Sequence, residues 1–253
     1  MSCKHAFLAA LLASALSPAA ANAAVKITGI SGNPGYETGT IHYTPGGIGG
    51  NAATKSLGVE IGRFQLNGID LANGNAPVSY LTYCVDIMHY LGNGTFDVVP
   101  LSSATSLDLT KQSQLLTLLT NTANLITGAN SAQMNKNISA GVQMAVWEIA
   151  FEQGDSGYNL YGANQGNFYV TNANSSAQAL GQGYLNNLFG ANAWKATPGY
   201  SLETLTAKGN QQQLFLVQSA VPEPAAWALM IAGFGMVGGV LRRQRKTTQL
   251  AFV

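Results

Sequence analysis

Charge is scarce in this sequence: Asp, Glu, Lys and Arg make up 9% of its 253 residues. Much of the basic part lies near the ends. Setting aside Lys4, Arg242, Arg243, Arg245 and Lys246, with Glu223 among the acids, leaves seven cations against ten acids, a net charge of −3. No basic run remains to hold nucleic acid or an anionic lipid surface. Histidine is equally sparse. Only His42 and His89 lie beyond the first few residues, and they share no metal-ligand spacing with each other or with cysteine, so no metal and no cofactor is expected. The Gly-rich stretch 45–50 lacks a following Lys-Ser/Thr and is not a phosphate-cradling loop. No internal repeat points to an array.

Cysteine is the most telling shortage. There are two, Cys3 and Cys84. Residues 1–23 read as a secretory signal peptide: Lys4 and His5 open it, 6–16 form an apolar core, and Ala21-Asn22-Ala23 supplies an A-x-A cleavage site. Cys3 leaves with that leader, so Cys84 becomes the lone thiol of an exported domain. No intrachain disulfide is then possible, and a single thiol in an oxidising compartment asks for a specific explanation.

At the other end an uncharged apolar run of 17 residues, 225–241, stops against Arg242, Arg243, Arg245 and Lys246. That is the short limit of the roughly 17–25 residues that span a bilayer, and the basic cluster belongs on the cytoplasmic side. The chain therefore divides into a leader, 1–23, a mature extracellular domain, 24–218, and a tail, 219–248, with its transmembrane helix at 225–241. The middle segment is long enough for one domain with a full core.

That segment reads as α+β: a single β-rich domain of sandwich or barrel type with two or three helices. Strands are expected within 25–44, broken at Asn33-Pro34-Gly35; at 58–66, closed by Asn67-Gly68; at 78–88, after the turn Asn73-Gly74; at 95–101; and at 213–217. Alternation over 78–88 puts Cys84 on one face with Tyr80, Thr82 and Asp86. It leaves Ser79, Leu81, Tyr83, Val85 and Ile87 as the core-packed face. Leu115, Leu118, Leu119 and Leu125-Ile126 recur at helical spacing, with Gly128 as the stop. A second helix is expected over 139–152, capped by Ser139, with Val142, Ala145, Val146 and Ile149 as its core stripe. A third runs from Asn174 or Ser175 to Phe189. The stretch 155–167 reads as a solvated loop.

Two motif sets resemble known families. Pro222-Glu223-Pro224, then Trp227-Ala228, a Gly-bearing apolar run and the basic end at Arg242, Arg243 and Arg245 resemble the PEP-CTERM sorting signal in its PEPxxWA variety. The resemblance implies export by the secretion machinery of a Gram-negative bacterium and a transient inner-membrane anchor through the tail. It also implies processing by an exosortase, with delivery to the cell surface or extracellular matrix. An ordinary single-pass anchor is the bland alternative; four glycines in the run and a Pro-Glu-Pro ahead of it fit that poorly.

Tyr83-Cys84-Val85-Asp86 and, 59 positions after the cysteine, Gln143-Met144-Ala145-Val146-Trp147 resemble the two motifs of Cys-Gln thioester-forming surface domains. Val142 stands where that family often has Thr. The resemblance implies that Cys84 attacks the Gln143 side-chain amide and releases ammonia, leaving an internal thioester that an amine can capture. Tyr83, Asp86, Ala145 and Trp147 would support the pair.

Three classes of function follow. The first is an exported binding protein, not a turnover enzyme, that captures an amine on a surface or matrix polymer through the thioester. The second is a structural or exopolysaccharide-binding matrix protein, with Cys84 inert, Gln143 a polar helix position and the Tyr- and Asn-rich stretch 158–169 contacting sugars. The third, a hydrolase built from Cys84, His89 and an acid, is disfavoured if His89 lies on the opposite face of a continuous strand. The first is the expectation, with no catalytic residues assigned.

Overall fold

Turn dipeptides and β-branched runs cut the chain up to Pro100 into short antiparallel strands, and the helices follow, with one short strand ahead of the last of them. The computed structural model describes residues 23–44, 53–152, 157–162, 166–218, 230–236 and 242. Its strands are β1 (Ala23–Gly32), β2 (Glu37–Tyr43), β3 (Lys55–Ile61), β4 (Phe64–Asp70), β5 (Ala76–Cys84), β6 (Gly94–Pro100), β7 (Phe168–Thr171), β8 (Tyr200–Thr206) and β9 (Gln213–Gln218). Between them stand α1 (Leu101–Ala104), α2 (Leu109–Thr122), α3 (Ala132–Phe151) and α4 (Ser175–Asn186). The class is α+β, as the sequence indicates.

Six strands close a barrel in the order β1-β4-β5-β9-β8-β6, and β3-β2-β7 form a separate small sheet. Val25, Ile27, Leu66, Phe96, Leu205 and Phe215 fill the barrel. The larger core lies outside it, where α3 packs against α2, α4, the end of β5 and the small sheet. Helix α3 is buried on every side from Asn137 to Ile149. Thirteen successive buried residues are the mark of a central helix and not of an amphipathic surface one.

Several expectations need correction. The strand expected at 58–66 is two strands, parted at Gly62-Arg63, because β3 belongs to the small sheet and β4 to the barrel. Asn67-Gly68 does not end a strand: Gly68 lies inside β4 beside the bulge in β1, where a Cβ would stand 2.2 Å from the Lys26 carbonyl oxygen. Strand β5 stops at Cys84, four residues short of the expected end. Its inner face is half-buried Tyr80 with buried Thr82 and Cys84, while Ser79 and Leu81 face outward, because Tyr80 packs on Phe215 of the barrel wall. The face that looked core-packed is therefore the outer one along most of the strand.

Helix boundaries follow the caps. Ser131, whose Oγ accepts the Met134 N–H, starts α3 more than two turns before Ser139. Asp108 caps α2 through the Lys111 N–H and Asn174 caps α4. Helix α2 ends at Thr122, so Leu125, Ile126 and Gly128 lie in the turns that follow. Helix α4 ends at Asn186.

The leader (apart from Ala23, the first residue of β1), the stretch 45–50, part of the loop 155–167 and the sorting residues Pro222, Glu223, Pro224, Trp227, Arg243 and Arg245 lie outside the described residues. Of the expected span 225–241, residues 230–236 are described and helical. Among the described residues no helix is long and apolar enough to cross a membrane.

Helices α3 and α4 touch backbone to backbone at Gly141 and Gly181. A Cβ on Gly141 would stand 2.9 Å from the Ala177 carbonyl oxygen, and one on Gly181 2.8 Å from that of Gly141. We expect Gly181→Ala to destabilise the fold by about 1–3 kcal/mol through overpacking, against the gain of roughly 1 kcal/mol that alanine brings to a helix interior. Urea unfolding measures the net; a more stable variant would contradict the close contact.

Candidate functional site

The ladder between β4 and β5 ends at the pair Phe64 and Thr82, because the chain enters the barrel at Gly62-Arg63 from the small sheet. Cys84, two residues past Thr82, has no β4 partner for its main chain. Helix α3 takes the vacant place. Ser139 Oγ accepts the Arg63 N–H at 2.7 Å. One turn later, on the same face, Gln143 Oε1 accepts the Cys84 N–H at 2.8 Å and Gln143 Nε2 donates to the Cys84 carbonyl at 2.8 Å. Ser139 and Gln143 are fully buried and Cys84 is 1% exposed. On its other edge β5 meets β9, with Cys84 opposite Gln213, and Thr82 Oγ1 donates to Gln213 Oε1 at 2.8 Å.

The Cys84 thiol donates to the Asp86 carbonyl at 2.7 Å. Burial pushes the thiol well above its ordinary range, so the sulfur carries its proton at rest. The main influence against that rise is the Trp147 indole, one turn beyond Gln143. Its Nε1–H is buried and, among the described residues, has no hydrogen-bond partner of normal geometry.

Past Cys84 the chain leaves the sheet in a pinned loop. Asp86 Oδ1 accepts the Met88 N–H at 2.7 Å and Oδ2 meets His89 Nδ1 at 2.6 Å. The Gln211 N–H donates to the Tyr90 carbonyl at 3.2 Å, and the Gly92 N–H to Asn210 Oδ1 at 3.1 Å. His89 is thus not across a continuous strand, which ends at Cys84; it folds back onto Asp86. A cleft of about 510 Å³ opens beside the thiol, lined among others by Tyr43, Glu60, Cys84, Met88, His89 and Trp147.

Of the six residues singled out in the two motifs, the structure brings Cys84, Asp86, Gln143 and Trp147 together. Tyr83 and Ala145 do not join them. Tyr83 is buried but lines a different cleft with Arg63, Leu119 and Phe215. Ala145, buried in the core, sits about 200° round the helix from Gln143. The sequence reading missed Ser139 as a main-chain anchor and His89 as the partner of Asp86. Their signals were the spacing of four to Gln143 and of three to Asp86. In the stretch 158–169, Tyr158 donates to Gln114 Oε1 at 2.6 Å and Tyr169 stacks on His42 at 4.4 Å, while Tyr161 is exposed. Among the described residues no group of three or more metal-ligating side chains assembles.

Residues 220–246 match the model of the PEP-CTERM protein-sorting motif. The chain carries a PEP-CTERM sorting signal. That motif implies an exported protein sorted by an exosortase. Among solved structures the chain is similar to the N-terminal domain of the Streptococcus pyogenes pilus tip adhesin Cpa, at 14% identity and a TM-score of 0.40, over 72% of this chain and 94% of that one. No curated protein matches the chain.

On the far side of α3 from the thiol lies a second buried polar group. Glu148 is fully buried; its Oε1 accepts the Asn159 N–H at 2.7 Å and its Oε2 has no hydrogen-bond partner. Burial pushes its carboxyl up to about 8, the Asn159 hydrogen bond pulls it down, the nearby Glu152 carboxylate pushes it up and Lys111 pulls it down. The folded protein therefore keeps this proton where the unfolded chain, titrating near 4.5, has lost it. Stability from Glu148 is complete below about 4.5, declines as the pH rises and is gone above about 8. Glu148→Gln keeps the acceptor for Asn159 and removes the titration. We expect its melting temperature to match the parent near about pH 5 and to exceed it by several degrees near about pH 9; equal melting temperatures at both would contradict a protonated Glu148.

Proposed function

We propose that the sorted protein is a surface or matrix protein that joins Cys84 to Gln143 in an internal thioester and captures an amine on its target. It would use the bond once and not turn over. The observation that carries this reading is the Gln143 carboxamide clasping both main-chain polar groups of Cys84. The clasp fixes the amide plane beside the residue that bears the sulfur, as proximity-driven acyl transfer requires. It also places a donor where charge develops. When Sγ adds to Gln143 Cδ, the oxygen that becomes anionic is Oε1, and the Cys84 N–H already points at it. The C–N bond then breaks, the thiol proton leaves with the nitrogen, and ammonia departs. The product is a thioester in a site from which burial of Cys84, Gln143 and Trp147 excludes water.

The raised thiol is consistent with this. A neutral sulfur is a weak nucleophile, so bond formation is slow and depends on held geometry. It is also protected from oxidation until the bond closes. Attachment at the cell surface or in the extracellular polysaccharide matrix, after a transient stay in the inner membrane, is the setting that the sorting signal supports.

Intact mass of the mature domain, prepared without the leader and tail, tests the reading. Wild type is expected one ammonia lighter than its sequence; Cys84→Ala and Gln143→Ala are expected at full mass. Methylamine should add to wild type and expose one alkylatable thiol. A wild-type protein at full mass, with its thiol alkylated only on unfolding, would sink the thioester and leave a non-covalent matrix role, such as exopolysaccharide binding. Gln143→Ala also leaves two buried main-chain groups unpaired, each costing about 1–3 kcal/mol, so its folding is to be checked by circular dichroism.

A further inference from the structure

The His89 and Asp86 pair pins the loop that leaves β5, and it also sets the imidazole beside the cleft. His89, which meets Asp86 at 2.6 Å, lines the same cleft as Cys84 and Trp147. Asp86 is held twice over, by the Met88 N–H on Oδ1 and by the thiol of Cys84 on its main-chain carbonyl. The loop is fixed to the β8–β9 turn through Tyr90 and Gly92. The imidazole is 50% exposed on its side chain, while Asp86 is 15% exposed. A carboxylate can only accept, so Nδ1 carries a proton toward Asp86, and in the neutral ring it is Nε2 that has the lone pair. An amine that enters the cleft toward Cys84 occupies a space that this ring lines. Glu60 and Tyr43, from the small sheet, are the other titratable side chains lining the cleft besides Tyr90 and Cys84 itself.

We propose that His89, oriented by Asp86, is the general base of amine capture, an assignment that rests on the thioester reading. The amine nitrogen forms a C–N bond with Gln143 Cδ as the C–S bond breaks. The proton that the nitrogen sheds passes to His89 Nε2 and from there to the departing Cys84 sulfur. The products are a secondary amide and a thiol, and the imidazole ends neutral as it began. Asp86 is a positioning residue: its carboxylate fixes the tautomer that leaves Nε2 free.

The experiment is methylamine capture followed by intact mass, on proteins first shown to be one ammonia light. His89→Ala is expected to form the thioester and to capture methylamine about 10²-fold more slowly. Added imidazole should restore much of the rate to this variant and leave wild type unchanged, which a merely structural role would not produce. Asp86→Asn, which keeps the acceptor for Met88, should slow capture comparably, because Asn donates to Nδ1 and moves the ring proton to Nε2. Capture by His89→Ala at the wild-type rate, or a slow rate that imidazole does not raise, would overturn the assignment. So would a folded His89→Ala protein that never loses ammonia, since the ring would then serve bond formation. A wild-type protein at full mass would instead refute the thioester, and the role of His89 with it.

Discussion

Two main-chain groups of Cys84 set the terms for much of this fold. A barrel strand that outruns its neighbour leaves an N–H and a carbonyl facing the interior, and unpaired buried groups of this kind are nearly absent from native proteins. Here the shortfall is met by one side-chain amide, whose acceptor and donor have the spacing of a neighbouring strand's peptide. For the amide to reach, α3 has to lie across the end of the barrel. That placement buries the helix on all sides and draws the small sheet over its other flank. The Gly141 and Gly181 contact answers to the same demand, since α4 has to come close enough to cover the helix without displacing it. Helix position, sheet division and site geometry are one solution to a single hydrogen-bonding problem.

The parts legible in the sequence were those with a local cause. The α+β class, the turn at Asn73-Gly74, the helix start at Asn174 or Ser175 and the closing strand near 213 each follow from a few neighbouring residues. The strand at 58–66 failed because nothing local says that Gly62-Arg63 passes from one sheet to another. The core face of β5 was misread for a related reason: hydrophobicity placed Leu81 inside, while the curvature of a closed barrel puts Tyr80 there. Ser139 looked like a cap because it is a serine ahead of an apolar stripe. Its hydroxyl is spent instead on the Arg63 N–H, a contact between residues 76 apart in the chain. The Cys84 and Gln143 pair was legible only through motif resemblance; periodicity placed each on its element and said nothing of their meeting.

Burial serves opposite ends at this site, and the balance between them decides what chemistry can occur. The same exclusion of water that preserves a strained acyl group also holds the thiol protonated, so a site dry enough to keep the bond is slow to make it and closed to an incoming amine. The structure resolves this by asymmetry. The Gln143 side of the sulfur is buried with Ser139 in the helix, where the clasp orders the amide that the proposed bond would use. The Asp86 side opens through a loop that carries the exposed imidazole. A group that has to accept a proton from an approaching amine belongs on the wet side, where its charged form is hydrated; a group that becomes the acyl donor belongs on the dry side. The roles proposed for Gln143 and His89 fit that partition, and the end of β5 at Cys84 leaves the residue between the two sides.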